Sequence, residues 1–127
     1  MRQSAAALAD KSDPPILDPE ALATVRADTG DALFAHLVGM FDAEQARRVA
    51  MLHEALAEDD REAIAFQAHV LRGAGAQLAG HRLAAIAAQL EREARAAGPQ
   101  RLTRLVGEVI ALSADTFTAL RGVLPGA

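Results

Sequence analysis

From Leu102 to Val123 the residues Leu102, Leu105, Val109, Leu112, Thr116, Leu120 and Val123 follow one another at steps of three or four. That spacing lays a single stripe along an α-helix and fits no strand, whose period is two. The pattern recurs upstream in three further blocks. One carries Leu33, Leu37, Met40, Phe41, Met51, Leu52, Ala55 and Leu56; the next carries Ile64, Leu71 and Leu78; the third carries Leu83, Ile86, Leu90 and Ala94. Nothing reads as a strand, and no internal repeat occurs. Four amphipathic helices with short connections predict an all-α fold, an antiparallel up-down-up-down four-helix bundle.

The punctuation agrees with this layout. Asp18-Pro19-Glu20 supplies a cap, a proline for the first turn and an acid beside it, which opens a short extra helix ahead of the bundle. Its inward residues are Leu22 and Val25, and Thr29-Gly30 ends it. The spacing places this helix as a lid over one end. The second helix starts near Asp31, and its charged run from Glu44 to Arg48 reads as a solvated face. Asp59 and Glu62 form a capping-box-like pair for the third helix, which extends to about Ala79. Gly80 marks the next turn, Gly98-Pro99 the one after, and Gly122, Pro125 and Gly126 close the last helix. Residues 1–15, ending in Ser12-Asp13-Pro14-Pro15, read as a flexible tail, and residues 16–124 as one helical domain.

Composition narrows the classes of function. There is no Trp, Tyr or Cys, and aromatics make up 3% of the chain, so the core is built from Leu, Ile, Val and Ala. A net charge of −4 argues against a nucleic-acid surface, which is normally basic. No apolar run reaches the length of a membrane span, and Ala5 to Ala9 is too short for a signal-peptide core. The lack of cysteine excludes disulfides and thiolate chemistry and fits the cytoplasm. Only Ser4, Ser12 and Ser113 occur, none in a nucleophile context. His36, His53 and His81 lack partners at metal-ligand spacing, so no metal site is expected. No glycine loop suited to cradling a nucleotide phosphate occurs either, so the chain is not read as a kinase.

One stretch suits its helix poorly. His69-Val70-Leu71-Arg72-Gly73-Ala74-Gly75-Ala76 holds two glycines in mid-helix, each costing roughly 1 kcal/mol relative to alanine. On the helical wheel Ile64, Leu71 and Leu78 share one line, and His69 lies about 160° from it, facing outward. Its neighbours at i−4, i+3, i+4 and i+7 are Ala65, Arg72, Gly73 and Ala76. The histidine therefore stands on a cleared strip beside a cation, which suits a phosphoryl group and the close approach of another protein. Phe66 and Val70 flank it as apolar docking contacts, or alternatively pack against the second or fourth helix.

His69-Val70-Leu71-Arg72-Gly73, with the later pair Leu90-Glu91, resembles the histidine-containing phosphotransfer (HPt) domain family of two-component signalling. The resemblance covers the helical layout from about Ile16 to Leu124. It departs from the family pattern at Val70, where a serine or threonine is common, and at Arg72, where lysine is usual. It departs again at Gln77-Leu78-Ala79-Gly80, where Asn-Leu-Gly is common and the glycine comes one residue sooner.

The resemblance implies a phosphohistidine at His69, charge compensation by Arg72 and a hydrogen bond from Gln77. It also implies docking over Ala65, Phe66, Val70, Gly73 and Ala76. The implied partners are receiver domains of a hybrid histidine kinase and of a response regulator, with Mg²⁺ on the receiver and no cofactor here. An exposed imidazole, with a reference pKa of about 6.5, is mostly neutral near pH 7 and needs no general base. Neither nucleic acid nor membrane is an expected partner, and a monomer is expected. The rival reading is a non-catalytic helical adaptor that docks on a receiver or kinase without carrying phosphate. Met1 and the Pro125-Gly126 ending favour a complete small protein over a fragment of a chemotaxis-type kinase.

Overall fold

A computed structural model describes residues 14–124; residues 1–13 of the expected tail, together with Pro125 and Gly126, lie outside them. The described residues form five helices: α1 (Pro19–Thr29), α2 (Asp31–Ala57), α3 (Arg61–Gln77), α4 (His81–Glu93) and α5 (Pro99–Gly122). No strand occurs among them. Helices α2 to α5 pack in a ring, α2 on α3, α3 on α4, α4 on α5 and α5 back on α2. Their short connections, 58–60, 78–80 and 94–98, suit an antiparallel up-down-up-down layout.

The core is aliphatic, as the composition requires. Leu52, Ile64, Leu71, Leu78, Leu83, Leu90, Leu102, Leu105 and Leu120 are fully buried, joined by Phe34 and Phe117. The closest helix pair is α3 with α4, where small side chains let the backbones approach. A Cβ added at Gly75 would lie 3.0 Å from the Gly80 carbonyl oxygen and 3.1 Å from the Ala84 nitrogen. The Gly80 N–H donates to the Gly75 carbonyl at 2.7 Å, which ties the turn to the helix. Gly75→Val is expected to lower stability by about 2–3 kcal/mol, because it forces two backbones apart. Chemical denaturation checks this, and an unchanged midpoint would contradict the packing described.

At α1, Asp18 Oδ1 accepts from the N–H groups of Glu20 and Ala21 at 3.0 Å, as a cap should. The Asp18 N–H donates to the Ala79 carbonyl at 2.9 Å, and His81 Nδ1 lies 3.4 Å from Asp18 Oδ2. The helix is thus anchored at the α3–α4 turn and packs on α2 with Leu22 and Val25 half-buried.

Four expectations need correction. The cap of α3 is Asp60, whose side chain accepts from the Ala63 N–H at 3.1 Å, and not Asp59. Asp59 turns the chain with φ 52°, and Glu62 pairs with Arg95 of the α4–α5 connection instead of reaching back. Helix α3 ends at Gln77, two residues early, because Ala79 adopts φ 65°. The left-handed residue therefore directly follows Leu78, and Gly80 serves close packing, since a Cβ there would meet Thr116 Cγ2 at 2.8 Å.

The inward face at the start of α2 is also rotated from the one read off the sequence, whereas Leu52 and Ala55 are buried and Phe41 and Leu56 pack on the core as expected. Phe34 and Val38 are buried, whereas Leu33, Met40 and Met51 are exposed. A one-residue change of phase turns a helix by about 100°, and Phe34 with Val38 offered an equally regular stripe. Nor is the run from Glu44 to Arg48 simply solvated. Ser113, fully buried on α5, donates to Gln45 Oε1 at 2.5 Å, and Arg48 Nη1 donates to the buried Gln67 Oε1 at 3.2 Å. These pairs satisfy polar groups inside the bundle, which would otherwise cost about 1–3 kcal/mol each.

Candidate functional site

Helix α3 presents His69 two turns before its C-terminal end, with its side chain 56% exposed. The burial of Ile64, Ala68, Leu71 and Ala74 on the inner face forces this orientation. Gly73 faces open space, for a Cβ there would meet nothing within 4 Å, and Ala76 is exposed. The strip beside the histidine is therefore low on its C-terminal side. Ala65, expected on the same strip, is almost fully buried and floors a hollow of about 250 Å³. Phe66 stands 57% exposed at the rim, while Val70 is half-buried. Glu62, Glu91 and Arg95 complete the lining around His69.

The two mid-helix glycines thus serve separate ends. Gly73 keeps the outer surface low, and Gly75 lets α4 approach. That approach brings Glu91 to the histidine. Buried Leu90 holds this turn of α4 in the core, and the next residue points up to the imidazole. Glu91 Oε2 lies 3.0 Å from His69 Nδ1, and Arg72 Nε lies 3.4 Å from Glu91 Oε1. Arg72 Nη2 also sits 3.0 Å from His69 Nδ1. One ring nitrogen cannot donate to the carboxylate and accept from the guanidinium at once. A carboxylate only accepts, so the arrangement with opposite partners matched puts the proton on Nδ1. Arg72 is then the counter-ion of Glu91, and the lone pair is on Nε2.

The sequence pattern quoted Leu90-Glu91 but did not bring Glu91 to His69. They are 22 residues apart, and their contact is tertiary. Gln77 is not brought to the imidazole. It lies eight residues on, about 12 Å along the axis, is exposed and makes no side-chain hydrogen bond among the described residues. His36 and His53 are exposed, and no group of three or more His, Asp or Glu side chains is placed to hold a metal among the described residues. No helix among them is long and apolar enough to cross a membrane.

Ion pairs rim the α4 side. Arg95 Nη2 donates to Glu62 Oε2 at 2.8 Å and holds that carboxyl below its usual range. Arg101 and Gln89 hold Glu93 down to about 2, and Arg48 lowers Glu44. A carboxylate lowered in the folded state stabilises above its unfolded pKa, and that contribution is lost as pH falls through the folded value. The melting temperature is therefore expected to decline from pH 4.5 towards 2, and less steeply at high salt. A melting temperature that is flat across this window would contradict the pairing.

The bundle displays His69 half-exposed, held by a carboxylate and flanked by a low strip, the setting that the resemblance to histidine phosphotransfer domains implies. The comparisons with known proteins agree. A family model described as the Hpt domain matches residues 36–115, and the chain belongs to that family. Among solved structures it resembles histidine-containing phosphotransfer protein B from Pseudomonas aeruginosa PAO1. That likeness has 25% identity and a TM-score of 0.77, and it covers 87% of this chain and 95% of the other. No curated protein gives a significant match.

Proposed function

We infer that this protein relays a phosphoryl group between aspartates of receiver domains by way of a phosphohistidine at His69. The donor in this reading is the receiver of a hybrid histidine kinase, and the acceptor is a separate response regulator. The observation that carries it is the 3.0 Å contact of Glu91 Oε2 with His69 Nδ1; with the proton on Nδ1, Nε2 keeps the lone pair that the transfer needs. Family membership supports the reading.

The step balances without a base. The Nε2 lone pair attacks phosphorus, the bond from phosphorus to the aspartyl oxygen breaks, and the carboxylate leaves with the electron pair. The ring becomes a phosphorylated imidazolium that still carries its Nδ1 proton, and Glu91 offsets the new positive charge. Arg72, 43% exposed, can turn from Glu91 towards the phosphoryl oxygens. Running the step in reverse on a second aspartate completes the relay. Mg²⁺ belongs to the receiver in this reading, and the chain contributes no ATP site and no cofactor. It works in the cytoplasm as a monomer.

The test uses a purified receiver domain carrying labelled aspartyl phosphate. The expected result is label on this protein that is lost in acid and kept in base. Receiver binding without any such label would move the assignment to a helical adaptor.

A further inference from the structure

Phe66 is conspicuous as the most exposed large apolar side chain among the described residues, one turn before His69 on the outer face of α3. A free phenyl ring on a helix surface ordinarily lies down on neighbouring apolar groups. Here the neighbour is a cation. The Arg48 guanidinium of α2 lies 5.8 Å from the centroid of the Phe66 ring. Arg48 is itself held in place, with its side chain only 19% exposed. Its Nε donates to Glu44 Oε1 at 2.7 Å, and its Nη1 donates to Gln67 Oε1 at 3.2 Å. Gln67 is 4% exposed, so one end of this brace is fixed in the bundle.

A guanidinium fixed at both ends and set over a ring limits where that ring can go. Phe66 also shares its hollow with His69, so a protein whose aspartyl phosphate reaches Nε2 must cover the ring. We propose that Arg48 is a positioning residue for receiver docking: from the neighbouring helix it holds the Phe66 ring as an apolar anchor beside the phosphorylated histidine. The recognition surface is then built from α2 and α3 together. This rests on the relay proposed above, with the receiver domain as the occupant.

The experiment measures transfer from a labelled phosphoreceiver against receiver concentration for wild type, Arg48→Met, Phe66→Ala, Phe66→Leu and the double variant of Arg48→Met with Phe66→Leu. Leucine keeps an apolar side chain but has no π face. Phe66→Ala is expected to raise the half-saturating receiver concentration about tenfold, with the saturated rate kept. Arg48→Met is expected to raise it about threefold in the wild-type background and not at all beside Phe66→Leu.

Arg48→Lys keeps the charge without the two-ended brace, and should fall between wild type and Arg48→Met. It also serves if Arg48→Met unfolds. Equal effects of Arg48→Met with and without the ring, or a fall in the saturated rate alone, would overturn the proposal while leaving the relay intact. Wild-type protein that takes no label at any receiver concentration would overturn both.

Discussion

His69→Gln is expected to carry no acid-labile label from any phosphoreceiver, with transfer at background. Glutamine offers an amide of comparable reach but no nucleophilic lone pair, since the amide nitrogen's electrons are delocalised. The side chain is half in solvent and the core lies on the opposite face of α3, so the fold should hardly notice. A stability change within about 0.5 kcal/mol is expected for such a surface site. Radiolabel transfer and a denaturation curve on the same preparation separate the two effects. Retained base-stable label in this variant would place the phosphoryl group elsewhere.

Gly73→Leu is expected to cut transfer at least roughly 100-fold, the scale of loss when reacting atoms are held about an ångström out of place. A leucine there stands in open space on the low strip beside the imidazole, where the receiver must come down. It should not disturb the bundle. No neighbour contests its Cβ, and glycine costs a helix about 0.8–1 kcal/mol relative to alanine, most of which leucine recovers, so the melting temperature should hold or rise. Gly73→Ala should keep most of the transfer. Normal rates in Gly73→Leu would remove the steric argument. The contrast with Gly75→Val is informative, for two glycines two residues apart are expected to fail in opposite ways.

That contrast also shows what the sequence could reveal. Helix existence, the Asp18 cap and the breaks at Gly30, Gly80 and Gly98-Pro99 are local signals, and they were legible. So was the outward face of His69, because Ile64, Leu71 and Leu78 mark the inward line of α3. The phase at the start of α2 was not, since Leu33 and Met40 form as regular a stripe as Phe34 and Val38, and only packing chooses between them. Aspartate at both 59 and 60 left the cap ambiguous by one residue. Glu91 on His69, Arg48 on Gln67 and Gln45 on Ser113 join helices 19 to 68 positions apart. No spacing rule reaches that far. The charged run in α2 looked solvated because its inward members were polar and their partners lay on other helices.

The most direct test of the central claim follows the phosphoryl group through the protein. The chain is labelled by a phosphoreceiver, separated from it, mapped by peptide analysis and then mixed with a second, unphosphorylated receiver. The expected result is label on the His69 peptide, stable in base, and then its departure to the second receiver as a base-labile aspartyl phosphate. Label that maps to another residue, or that stays on His69 when the second receiver is present, would contradict the relay.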